Sequence, residues 1–140
     1  MVMYHSGTGN TRKLAELVAD GARSVKGTEV KLVAAGELNL AEAAKADGYA
    51  IGSPDYFSYV AGEVKAFFDK ILNDGRFTGK PYVGFGTHGG GGKVLGVLET
   101  LADHCKLKKV KPGMMTKGAP AGKDADPARA LGQALAQAAK

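Results

Sequence analysis

Apolar residues recur along this chain with two alternating periods. Val2, Met3 and Tyr4 form a short run that ends at His5, and this reads as a first strand, Val2 to His5. Leu14, Leu17, Val18 and Gly21 then share one helical face, which predicts a helix from Thr11 to Ser24. Val30, Leu32 and Val33 mark a strand over Glu29 to Ala34 that Gly36 ends. Asn39 stands where it would cap a short helix, Leu40 to Ala46. Tyr49 to Gly52 is apolar on both faces, as a central parallel strand is. Val64, Phe67, Phe68, Ile71 and Leu72 form the stripe of a helix over Gly62 to Asn73.

Lys80-Pro81 leads into a fourth strand, Tyr82 to Gly86. Leu95, Leu98, Leu101, Ala102 and Cys105 predict a helix from Lys93 to Lys106. A fifth strand is expected within Val110 to Met115, interrupted by Pro112 and Gly113. Gly118 to Lys123 reads as an exposed loop. Pro127 suits the first turn of a last helix that turns Leu131 and Leu135 inward. Five strands alternating with five helices predict an α/β chain with a doubly wound, five-stranded parallel sheet. In such sheets, ligands bind beyond the carboxyl ends of the strands.

At 140 residues, the pattern suits one domain, 1–140, with one adequate core. No apolar run reaches membrane-spanning length, so membrane insertion is not expected. The chain enters its first strand at once, which leaves no room for a signal peptide. Cys105 is the one cysteine, which excludes an internal disulfide and points to a reducing, cytoplasmic setting. The net charge is +5, and Lys106 to Lys123 holds six lysines and no acid. This segment suits either a solvated face or a dock for an acidic partner. No aromatics interleave with these lysines, and no nucleic-acid module is legible.

The chemistry begins at Ser6-Gly7-Thr8-Gly9-Asn10-Thr11, between the first strand and the first helix. A tight loop opening a helix directs backbone N–H groups and the positive end of the helix dipole at one point. Ser6, Thr8 and Thr11 add hydroxyls and Asn10 an amide, which makes an uncharged pocket for a phosphate monoester. The alternative is a Gly-rich turn with Asn10 or Thr11 capping the helix. A dinucleotide fingerprint fails, because Arg12 stands where a third glycine is required. A nucleoside-triphosphate loop fails too, because no Lys-Ser or Lys-Thr follows. The S-x-T-G-N-T pattern resembles the FMN phosphate loop of the flavodoxin family.

Two later loops extend the pattern. Ser53-Pro54-Asp55-Tyr56-Phe57-Ser58 follows the third strand and, with Tyr59, clusters three aromatics that suit a flat ligand. Thr87-His88-Gly89-Gly90-Gly91-Gly92 follows the fourth, where absent side chains open the backbone to a ring edge. The bland readings are rings packed over the sheet and a flexible helix entry. Gly52 to Lys70, Gly86 to Gly92 and Leu101 to His104 resemble the corresponding stretches of WrbA-type NAD(P)H:quinone reductases, which share the flavodoxin fold.

The resemblance implies strand order 2-1-3-4-5 and noncovalently bound FMN. By motif position, Ser6, Gly7, Thr8, Gly9, Asn10 and Thr11 hold the phosphate. Ser53, Pro54, Asp55, Tyr56, Phe57 and Ser58 flank the ring system, and Thr87, His88, Gly89, Gly90 and Gly91 meet its pyrimidine edge. It implies an electron carrier serving a redox partner protein. The alternative is an FMN-dependent reductase acting on NAD(P)H and a quinone, and a second is a flavin-free binding module of the same fold. The chain is short for such a reductase and basic for a flavodoxin. Asp55 is the one acid in the three loops, so the reduced flavin is expected at a less negative potential than acidic flavodoxins give it. His5 either simply ends the first strand, the commoner case, or sits near the expected anion; His88 lies inside the third loop as a candidate donor to flavin or substrate; His104 aligns with a reductase histidine or is structural at its helix end. Cys105 reads as a core residue. No catalytic set or metal site is legible.

Overall fold

The computed structural model describes residues 1–140. Its strands are β1 (Val2–Tyr4), β2 (Leu32–Ala34), β3 (Tyr49–Pro54), β4 (Pro81–His88), β5 (Lys108–Lys109) and β6 (Met114–Lys117). The helices are α1 (Asn10–Arg23), α2 (Leu40–Ala44), α3 (Gly62–Ile71), α4 (Val94–His104) and α5 (Ala125–Ala138). All strand pairings are parallel, in the order β2-β1-β3-β4-β5, with β6 also on β4.

Side chains alternate across this sheet into two cores. Val2 and Tyr4 join Leu14, Val18, Phe85 and Leu131 under α1 and α5. Met3 and Ile51 join Tyr49, Phe67, Phe68 and Leu98 under α3 and α4. Cys105 belongs to the second core, where its thiol faces the Phe68 carbonyl at 3.4 Å and burial pushes its pKa up. α1 and α5 touch through glycines: Gly21 lies against the Arg129 carbonyl and Gly132 against that of Val18.

The fifth strand differs from expectation. The edge of β4 carries two short strands, β5 beside Pro81–Tyr82 and β6 beside Phe85–His88. Pro112 lacks the N–H a continuous ladder needs. Gly113 sits so close to β4 that a Cβ there would be 2.3 Å from the Gly84 carbonyl oxygen. The window Val110 to Met115 is therefore centred on a break. β2 is also shorter than expected, while β3 and β4 run on into the Pro54 and His88 positions. The break divides the lysine-rich segment. Lys108 and Lys109 lie beside the start of β4, and Lys117 lies beside His88 at its end. The six lysines are thus not one patch.

Candidate functional site

The chain leaves β1, β3 and β4 at the same sheet edge. Tyr4 pairs with Gly52, and Pro54 with Thr87, so the loops 5–9, 55–61 and 89–93 begin side by side.

The first loop is built by its own backbone. Gly9 is the N-cap of α1 at φ 96°, a left-handed conformation that glycine adopts without strain. Neither Asn10 nor Thr11 caps the helix. The Ser6 Oγ instead accepts hydrogen bonds from the N–H groups of Gly9 at 3.0 Å and Arg12 at 3.3 Å. Its own hydrogen stays free to donate. The N–H groups of Thr8, Asn10 and Thr11 have no acceptor within the chain. Thr11 is 1% exposed, so its amide is an orphan at a helix start. These donors stand at a helix start in a loop that carries no carboxylate of its own, a setting that suits an anion.

The Thr11 hydroxyl does not join them. It lies 2.8 Å from the Thr87 Oγ1, a buried bond between the start of α1 and the end of β4. Thr11 and Thr87 therefore brace the site with their side chains, and of Thr11 only the backbone amide is left without a partner.

The second loop is held by tertiary bonds. Ser53 is fully buried; its Oγ accepts from the Ala61 N–H at 2.9 Å and donates to the Pro54 carbonyl at 2.8 Å. The Asp55 Oδ1 accepts from the Ser58 N–H at 2.8 Å. Its Oδ2 accepts from the N–H groups of Lys93 at 2.7 Å and Val94 at 3.1 Å, the start of α4. The acid in the loops is thus spent on a helix N-terminus, where negative charge is favoured. Tyr56 and Tyr59 exchange both backbone bonds, closing a two-residue turn. Phe57 and Ser58 form that turn at φ 57° and 62°, the strained region for both residue types.

The three rings do not pack over the sheet. Phe57 is fully exposed at the turn, and Tyr59 is 42% exposed. Tyr56 reaches back over the first loop: a Cβ on Gly7 would lie 2.4 Å from its hydroxyl.

The third loop is open where side chains are missing. A Cβ on Gly89 or Gly90 would meet nothing within 4 Å, whereas one on Gly91 would touch the Asp55 carboxylate. The His88 ring lies within its own loop beside Gly92, and its Nδ1 is buried without a partner. Its carbonyl accepts from the Gly118 N–H at 2.8 Å. His104 is exposed at the end of α4, away from these loops.

Sequence reasoning had no signal for the amides of Lys93 and Val94, or for Glu63, whose Oε2 lies 2.8 Å from the His5 Nδ1. Both contacts join segments far apart in the chain. Grouped acids, histidines and thiols that would hold a metal ion are absent, and no helix is long and apolar enough to cross a membrane.

Comparison with known proteins identifies the fold and the family. The family model for flavodoxin matches residues 2–132. A flavodoxin of Aquifex aeolicus is 46% identical over 94 residues, covering 66% of this chain and 51% of that protein. An NAD(P)H dehydrogenase (quinone) of Acidithiobacillus ferrooxidans is 30% identical over 147 residues, covering 86% of this chain and 70% of that protein. The chain thus spans about half the length of the Aquifex relative. The solved structure of a flavodoxin from the domain Archaea superposes with a TM-score of 0.92 at 25% identity, covering 99% of this chain and 96% of that one.

Proposed function

The chain belongs to the flavodoxin family, and from that premise we propose that it binds FMN at the three-loop edge and carries electrons to and from a redox partner protein. The observation that carries the reading is the set of bare N–H groups at Thr8, Asn10 and Thr11, gathered at the start of α1 around a left-handed Gly9. A phosphate monoester satisfies these donors without a countercharge. Ser6, Gly7, Thr8, Gly9, Asn10 and Thr11 would hold that phosphate. Tyr56, Phe57 and Ser58 on one side, and His88, Gly89 and Gly90 on the other, would flank the rings. Pro54 ends β3 beneath them. Ser53, Asp55 and Thr87 support the site by bracing the loops, and Gly91 lies beside the Asp55 carboxylate.

When bound, the flavin supplies reversible electron transfer, and the protein supplies position and electrostatics. The Asp55 carboxylate is already engaged by three amides, so it adds little uncompensated negative charge beside the rings. A less negative potential for the reduced flavin than in acidic flavodoxins follows. The split of the lysines leaves Lys117, beside His88, as the basic residue of that segment next to the site. An acidic partner would meet it there.

A second reading, an FMN-dependent NAD(P)H:quinone oxidoreductase, draws on the similarity to the Acidithiobacillus dehydrogenase and on the unobstructed backbone at Gly89 and Gly90. One experiment separates the readings. Apoprotein is titrated with FMN and followed by its visible spectrum, then given NADH or NADPH with a quinone. Saturable FMN uptake without steady NAD(P)H oxidation supports the carrier. Sustained turnover with the quinone reverses the order, and failure to take up FMN leaves a flavin-free module.

A further inference from the structure

A row of contacts runs along the site edge from β2 to the first loop, and none of it is needed to close a turn. At its outer end the Glu63 carboxylate packs on Gly36, where a Cβ would lie 2.8 Å from Oε1. Its Oε2 reaches the His5 Nδ1 at 2.8 Å. The His5 ring meets the Tyr56 ring edge to face, with centroids 5.7 Å apart and planes at 75°. The Tyr56 hydroxyl then overlies Gly7. The backbone half of His5 is fixed as well, since its N–H donates to the Gly52 carbonyl at 3.2 Å and continues the β1–β3 ladder.

Each end of this row rests on a glycine whose missing Cβ makes room for a side-chain tip. Neither Gly7 nor Gly36 has positive φ, so backbone conformation does not account for them. An isolated surface pair of His and Glu contributes little. Here Glu63 is half-exposed, but the His5 side chain is only 24% exposed and stands between that acid and an aromatic ring from two other segments.

We propose that His5 and Glu63 are a positioning pair that holds the Tyr56 hydroxyl over the phosphate loop, and thereby raises selectivity for a phosphorylated flavin over riboflavin. The inference rests on the flavin reading above. Neither residue touches the phosphate position; both act through Tyr56. Glu63 fixes the imidazole by accepting from Nδ1–H, the imidazole fixes the phenol ring, and the ring leaves its O–H above Gly7, within the first loop.

The test measures affinities of FMN and riboflavin for apoprotein by fluorescence quenching. His5→Ala and Glu63→Ala are each expected to weaken FMN about three- to tenfold, the span of one modest hydrogen bond, with a smaller loss for riboflavin, whose rings Tyr56 also flanks. Glu63→Gln keeps an acceptor for His5 and should retain most of the FMN affinity. Tyr56→Phe should show the same selective loss, and adding His5→Ala to it should cause no further loss, because His5 then has nothing to position. Equal losses for FMN and riboflavin, or additive losses in the double variant, overturn the inference while the flavin reading stands. Wild-type protein that takes up neither flavin overturns that reading and this inference with it.

Discussion

The first and second loops of the site solve the same problem, a sharp reversal at the end of a parallel strand, by opposite means. In the first, the left-handed residue is Gly9, and the bonds that shape the turn run from Ser6 to amides three and six residues on. In the second, the left-handed residues are Phe57 and Ser58, which pay in strain, and the shape is imposed from outside by Asp55 on the start of α4. One loop is relaxed and local, with amides left bare. The other is strained and tethered, with a fully exposed ring at its tip.

Breaking the tether is the strongest challenge to this contrast. Asp55→Ala leaves three amides without their acceptor and should lower stability by about 2 kcal/mol. Denaturant unfolding gives the size, and hydrogen exchange should show faster exchange at Lys93 and Val94, with Gly9 and Arg12 unaffected. A similar loss at the first loop would show that the loops are not independently built. Next comes the bond that joins the start of α1 to the end of β4. Thr11→Val strands the buried Thr87 hydroxyl, for about 1–2 kcal/mol, and Thr87→Val made together with it should recover part of that loss.

The two turns should then respond with opposite sign to changes at their left-handed residues. Gly9→Ala puts a Cβ where φ is 96° and should destabilise by about 1 kcal/mol, with no steric neighbour to blame. Ser58→Gly removes strain and should stabilise by about 0.5 kcal/mol or a little more, read as a shift of the unfolding midpoint. Destabilisation by Ser58→Gly would mean that the turn is not strained in the sense drawn here. The smallest effect is expected at the tip. Phe57→Ser removes a ring with no contact to lose, so stability should hold within about 0.5 kcal/mol. Any effect of that change belongs to whatever meets the loop from outside.

Much of this was written locally. The alternation of short apolar runs and helical stripes was enough for the helices, the parallel sheet and the edge at which the loops gather, because burial periodicity and right-handed crossovers act over tens of residues. The first loop was legible for the same reason: glycine, hydroxyls and a helix start lie within six positions. The fifth strand was legible only as a weakness. Pro112 and Gly113 signalled an interruption, but the two pieces on either side are chosen by their pairing to β4, which no local pattern contains.

The sequence by itself determined that a loop of glycines and hydroxyl residues opens α1, and any helix start leaves its first amides without acceptors inside the helix. Only the tertiary structure decided what the side chains beside them do. Asp55, Thr11, Thr87, His5 and Glu63 are polar residues with several possible partners each, and their choices were made by contacts 38 to 76 residues away in the chain. Hydrogen bonds of that span exist only after the sheet has brought the strand ends together.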